Sequence, residues 1–269
     1  MISINTNYGS LFATKSAGAA QKTMNTAMER LSSGLRINNA KDDAAGQGIA
    51  TRLSAEIMGL EMASRNASDA QSMMDTAEAA YQEVHSMLIR MREIAVQAAN
   101  GTLSSADRTA LNAEVTALET EITSIADSTA FAGVNLGTST ALKFQTGTGN
   151  GDTIDHTFKD FDATTISADV DVLSTGSAGN AVSTLDAAIS LISTRRGELG
   201  ALSNRLSSTI ANLDNISVNL SSARGRIQDT DFATETSNLA KSQIMQQAAT
   251  AMLAQANASK GSILTLIQS

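Results

Sequence analysis

Not one proline occurs in the 269 residues of this chain. Proline is the residue that most strongly interrupts a helix, because it lacks an amide hydrogen and its ring collides with the preceding turn. Its absence permits long helices without a built-in break. Hydrophobic residues make up 42% of the chain but aromatics only 3%, so any core must be built from Ala, Leu, Ile, Val and Met. Such slender side chains suit thin layers of helix on helix more than a thick globular centre. The expectation is a mainly α, elongated chain.

The apolar periodicity divides that chain into helices. From Ala13 the stripe steps by four and three through Ala17, Ala20, Met24, Ala27 and Leu31, the spacing of one helix face. Ser32-Ser33-Gly34 interrupts it, and Asn38 to Asp43 reads as a turn, with Asp42 or Asp43 suited to cap the next helix. A heptad seam follows through Ala70, Met73, Ala77, Ala80, Val84, Met87, Met91, Ile94 and Ala98, widened by Met74, Tyr81, Leu88 and Ala95. Asn100-Gly101 reads as its end, with glycine at C′. Ser104 and Asp107 form a capping box, and a helix runs on through Leu111, Val115, Leu118, Ile122 and Ile125. So short a loop requires these two helices to pack antiparallel.

Near Phe131 the composition changes: 7 of the 18 glycines lie between Gly133 and Gly179. Ala141–Gln145 and Thr153–Phe158 flank a glycine-rich turn and predict the one β-hairpin. Another long stripe then runs from Val182 to Ile227, with Arg196 and Thr209 its polar members. At ~1.5 Å per residue it would span roughly 70 Å. Past Asp229-Thr230-Asp231 a last stripe holds Met245, Ala249, Met252, Ala256, Ser259, Ile263 and Leu266. The two halves mirror one another, so the chain is expected to fold back and bring its ends together. The fold class predicted is a long antiparallel coiled-coil helical rod (residues 40–227, with the hairpin region at 131–178). Terminal helices (residues 1–39 with 228–269) form a second domain.

The terminal segments cannot be stable alone. Residues 1–28 carry only Lys15 and Lys22, and residues 236–269 only Lys241 and Lys260, whereas a surface helix normally presents a charged outer face. Both therefore call for burial on several sides. A buried methyl contributes ~0.8 kcal/mol, against a backbone ordering cost of roughly 1–2 kcal/mol per residue. An alanine stripe inside one chain does not offset that cost. The ends are expected to order on meeting copies of themselves, with Ala13, Ala17, Ala20, Met24, Leu31, Met245, Met252, Ile263 and Leu266 as assembly residues.

Other functions find little support. The net charge is −8 and no dense Lys/Arg stripe exists to neutralise phosphates, so no nucleic acid is expected as a partner. No apolar run approaches the ~18 residues of a membrane span, and Met1 to Tyr8 lacks the basic-then-apolar order of a cleaved signal peptide. Cysteine is absent, which excludes disulfides and thiolate metal sites. The two histidines, His85 on the outer side of the heptad helix and His156 beside Asp155 in the hairpin, accompany no nucleophile motif. No His-Glu-x-x-His occurs. Gly147-x-Gly149-x-Gly151 lacks the helix and Lys-Ser/Thr of a phosphate loop, and Asp160/Asp162 and Asp169/Asp171 read as solvated loop acids. No enzyme, cofactor or metal site is expected.

The motifs at both ends resemble bacterial flagellin. Glu29 to Asn38 reads Glu-Arg-Leu-Ser-Ser-Gly-Leu-Arg-Ile-Asn and is followed by Ala40-Lys41-Asp42-Asp43-Ala44-Ala45-Gly46, close to the family's N-terminal signature. Ser64-Arg65-Asn66-Ala67, the run Arg90 to Gly101 and Phe131-Ala132-Gly133-Val134 continue the match. Arg226 to Ala233, Gln243 to Ala248 and Leu253 to Asn257 extend it at the other end. The resemblance implies a minimal flagellin without outer domains: a secreted, self-polymerising subunit of the flagellar filament that serves motility. It also implies a flagellar export chaperone, the type III export apparatus, and the filament cap and hook-junction proteins as partners. A host Toll-like receptor is implied as a further partner, gripping Arg90, Ile94 and Glu114. Two other readings share the helical pattern: a hook–filament junction protein, and a cytoplasmic signalling or adaptor coiled coil.

Overall fold

A computed structural model describes residues 6–166 and 170–268, with side chains through residue 260. Local chemistry sets the ends of each helix. Asn7 caps α1 (Tyr8–Ser33) by accepting from the Ser10 amide at 3.1 Å. Gly34, at φ +74°, ends it in the left-handed conformation that glycine adopts without steric cost. Asp43 opens α2 (Ala44–Ala98), its carboxylate accepting from the Gly46 amide at 2.9 Å. The glycine cap expected at the far end of α2 is not used, because Gly101 is not among the positive-φ glycines. Arg108 takes its place, donating to the carbonyls of Ala98 at 3.0 Å and Asn100 at 2.9 Å. A cation so placed satisfies carbonyls that the helix itself cannot. The capping box of α3 (Ser105–Ser128) is complete, with Ser104 and Asp107 each accepting from the other's amide.

Two short antiparallel ribbons follow. β1 (Ala130–Phe131) and β2 (Val134–Asn135) pair across Ala132 and Gly133, both at positive φ. That places a tight hairpin turn beside the single hairpin that periodicity predicts. β3 (Ala141–Gln145) and β4 (Thr153–Thr157) form the expected hairpin, with Lys143 opposite Asp155 and Phe144 opposite Ile154. A one-turn α4 (Ala163–Ile166) leads on to α5 (Thr175–Gln228) and α6 (Phe232–Gln268).

The chain divides into two compact units, one of residues 56–218 and one of residues 1–55 with 219–269. In the first, α2 and α5 run antiparallel, linked by Ser64 to Asp214, Gln71 to Ser207 and Arg92 to Asp186. Arg196, the charged member of the α5 stripe, pairs with Glu78 of α2 at 2.8 Å. α3 returns along α2, placing Glu114 against Arg90. Because α2 meets both α3 and α5, its buried face is wider than a two-stranded seam: Met74, Tyr81, Leu88 and Ala95 are buried, and Met73 and Met87 only partly so. Phe158 and Phe161 close the core, and the Tyr81 hydroxyl donates to the Lys159 carbonyl at 3.0 Å. Gly137 is required by close approach, since a methyl there would sit 2.0 Å from the Ala126 carbonyl oxygen.

In the second unit α1 and α6 lie antiparallel, and the two connecting segments are knit to each other. Leu35 and Asp229 form a β-bridge, the Arg36 amide donates to the Gln228 carbonyl and the Thr230 amide to the Gly34 carbonyl. Asp231 caps α6 through the Thr234 hydroxyl and the Ala233 amide. Those bonds, the Thr234 hydroxyl's above all, hold its carboxyl below the usual carboxylate range.

Candidate functional site

The α1–α6 pair has an alanine seam inside and an apolar face outside. Ala13, Ala20 and Ala27 are buried, with Ala17, Met24 and Leu31 half-buried beside them. The α6 side of the seam repeats at seven-residue spacing: Glu235, Ser242 and Ala249 are buried and Ala256 half-buried. Small residues let the helices approach closely, and a methyl added at Gly9 would stand 3.4 Å from the Ala256 Cβ. Polar contacts fix the register: the Asn7 amide donates to the Ala256 carbonyl at 3.1 Å, Gln246 to Gln21, and Arg30 lies 3.8 Å from Glu235.

Several large side chains point away from this seam. Phe12 is 74% exposed and Met252 63%, and Tyr8, Leu11, Ile244 and Met245 are likewise exposed. The assembly residues predicted from periodicity thus fall on two faces. Ala13, Ala17, Ala20, Met24 and Leu31 line the contact between α1 and α6, whereas Met245 and Met252 look outward. The side chains of Ile263 and Leu266 lie outside the described residues. The stripe also missed Tyr8, Leu11, Phe12 and Ile244, which sit off its phase. Their signal was the presence of large apolar side chains on helices with almost no charge.

The second predicted cluster is only partly a surface. The Arg90 guanidinium donates to Glu114 Oε1 from Nε at 3.0 Å and Nη2 at 2.8 Å, and to Glu93 at 3.1 Å. The hydrogen bonds it donates to Glu114, then to Glu93, raise the already high Arg90 pKa. Ile94 is 0% exposed, so its assignment as a contact residue is corrected: the α2 heptad turns it into the core beside Met91. Ile89 and Val96 are exposed apolar residues of the same helix.

His85 is half-buried where a surface position was expected. His156 is half-buried, edge-on to Phe158 with ring centroids 4.9 Å apart. Burial lowers its pKa, against an opposing pull from Glu198 and with a smaller contribution from Lys159. Asp155 pairs with Lys143 at 3.7 Å. Asp160, Asp162 and Asp171 accept from nearby backbone amides, and Asp169 lies outside the described residues. No group of three or more metal-ligating side chains occurs among the described residues.

Comparison with known proteins bears on this pairing of terminal helices directly. Residues 4–139 match the bacterial flagellin N-terminal helical region and residues 182–267 the bacterial flagellin C-terminal helical region. A flagellin of Halalkalibacterium halodurans is 42% identical over 98% of this chain and 99% of its own. The chain belongs to the bacterial flagellins. Flagellin A of Vibrio cholerae is 34% identical over 99% of this chain and 100% of its own, across 377 aligned positions. Beside that longer relative this is a minimal flagellin, a structural subunit of the flagellar filament. The crystal structure of Bacillus cereus flagellin, 30% identical, matches with a TM-score of 0.50 over 55% of this chain and 88% of its own. A chain described as a flagellar hook-associated protein of Vibrio parahaemolyticus shares the fold at 16% identity, with a TM-score of 0.57 over 70% of this chain and all of its own. Identity along the whole length favours flagellin over the hook-junction and signalling alternatives.

Proposed function

We propose that this flagellin polymerises through the outward faces of α1 and α6, with residues 1–39 and 228–269 forming the filament core. The observation that carries this reading is the exposure of Tyr8, Leu11, Phe12, Ile244, Met245 and Met252 on two helices whose mutual contact is mostly alanine. Large apolar side chains gathered on charge-poor helices mark an interaction surface. A copy of the same pair, equally poor in charge, is its natural cover. The test separates the two faces. Met252→Glu, or Phe12→Asp, leaves the helical circular-dichroism spectrum unchanged and prevents sedimentable polymer from forming. Filaments at the wild-type critical concentration in both variants would remove the outward face from the assembly.

Such a surface is an aggregation hazard before assembly, which supports a flagellar chaperone that covers α6 until the type III apparatus exports the subunit. A peptide of residues 232–269 is expected to bind a flagellar chaperone of the same cell in isothermal titration. The absence of heat with every such chaperone would count against this step. Once secreted, the subunit joins the extracellular filament between the hook-junction and cap proteins.

A host Toll-like receptor is the last proposed partner, and the exposed Arg90–Glu114 pair supports it. The same side chains would be covered by neighbouring subunits, so monomer activates reporter cells and intact filament does not. Arg90→Ala combined with Glu114→Ala weakens the response, while Ile94 contributes only by holding α2 in place. Wild-type monomer that leaves reporter cells silent would dismiss the receptor and leave the structural role untouched.

A further inference from the structure

Two Asn-Gly steps occur in this chain, Asn100-Gly101 and Asn150-Gly151, and all four residues are exposed. An asparagine before glycine can undergo ring closure: the glycine amide nitrogen attacks the asparagine Cγ, the side-chain nitrogen leaves as ammonia, and a succinimide forms. Water then opens the ring on either side, giving aspartate or an isoaspartate whose backbone runs through Cγ. Closure requires the asparagine side chain and the peptide that follows to rotate toward each other. Hydrogen bonds that hold either one oppose it.

The two steps differ sharply in this respect. Asn100 is held at three atoms. Its Oδ1 accepts from the Thr102 amide at 3.2 Å, its amide donates to the Gln97 carbonyl at 3.1 Å, and its carbonyl accepts from Arg108 at 2.9 Å. Asn150 lies at the apex of the β3–β4 turn, where neither its side chain nor the Gly151 amide has a hydrogen-bond partner among the described residues. The Gly151 carbonyl accepts from the Thr153 amide at 2.8 Å, on the far side of the peptide that must rotate, and the other bonds that staple this turn pass around the step. Asp152 accepts from the Gly149 amide at 2.8 Å, Gln145 donates to the Gly147 and Gly149 carbonyls, and the Thr146 amide donates to the Asp152 carbonyl. Gly151 itself stands at φ +95°, open to the wide range of conformations that only glycine samples freely.

We infer that Asn150 is a site of self-modification by succinimide formation and that folding protects Asn100 from the same reaction. The product at position 150 places a new carboxylate two residues from Asp152. In its isoaspartyl form it also adds a methylene to the backbone of the turn. The turn packs on α2, where a methyl at Gly59 would meet the Thr148 side chain at 2.7 Å, so the change is felt at that contact.

Trypsin separates the two sites, because residues 93–108 and 144–159 form peptides with one asparagine each. The full chain is aged at mildly alkaline pH, folded and in denaturant, and both peptides are followed by mass spectrometry and by an isoaspartyl methyl-acceptor assay. Folding is expected to slow the reaction at Asn100 severalfold and to leave the rate at Asn150 within a factor of about two. In an Asn150→Gln chain the methyl-acceptor signal of the folded protein falls to the level contributed by Asn100. Equal protection at both steps, faster reaction at Asn100 in the folded chain, or an undiminished signal in Asn150→Gln would each overturn the assignment.

Discussion

A chain lacking residues 1–31 will form no filaments, and neither will a chain lacking residues 236–269, yet both will melt cooperatively. The reason lies in where the core sits. The large buried cluster runs from Ala67 to Leu206 and, among the described residues, takes nothing from α1 or α6. The terminal pair has instead the alanines of α1 and a α6 seam that includes the buried polar residues Glu235 and Ser242. With ~0.8 kcal/mol per buried methyl against roughly 1–2 kcal/mol per ordered residue, that seam does not hold two helices by itself. In the proposed polymer, neighbouring subunits supply the rest, through Phe12, Ile244 and Met252. Either deletion removes half of the shared surface, so the loss is all-or-none and not graded. Electron microscopy after seeding with wild-type fragments reads the polymer, and a urea melt by circular dichroism reads the remaining unit. Filaments of normal length from either truncation would reject the terminal-core model. Loss of the cooperative melt in both would show that the terminal pair holds the rest of the chain together.

Much of this architecture could be read from spacing. The α2 and α5 seams, the Ser104–Asp107 capping box, the Asp43 cap and the strands of β3 and β4 follow from period and cap chemistry, each set by residues a few positions apart. What escaped depended on distant partners. Arg108 caps α2 from the following helix, and no local rule distinguishes that from a glycine cap at Gly101. The β1–β2 ribbon is two residues long on each side, too short for alternation to register. Periodicity also reports a face without naming its partner. It grouped Ala20 with Met252, although one faces the other helix of the pair and the other faces outward. Ile94 shows the converse: the heptad reading itself put it on the buried seam, while a motif match placed it at a contact surface, and the heptad was the better guide.

Leu206→Ala will destabilise the protein by ~2–5 kcal/mol, the range for emptying a well-packed leucine site. Leu206 is fully buried and belongs to the same cluster as Leu199, Leu202 and Ala67. Its loss therefore combines the transfer of a branched side chain with a cavity between two long helices, whose backbones cannot close independently of their neighbours. Leu213, buried beyond the end of that cluster, should fall at the lower end of the range. Asp155→Ala is the contrast. Its ion pair with Lys143 spans 3.7 Å between two exposed side chains, an arrangement worth about 0–1 kcal/mol. His156→Ala falls between, because the half-buried ring loses an edge-on contact with Phe158 worth ~0.5–1.5 kcal/mol beyond its area. Urea melts of the full chain rank the four, and an unchanged slope with denaturant will show that the surface exposed on unfolding is the same in each. If Leu206→Ala and Asp155→Ala cost the same, the helical register on which both the core and the outward face of Arg90 depend is wrong.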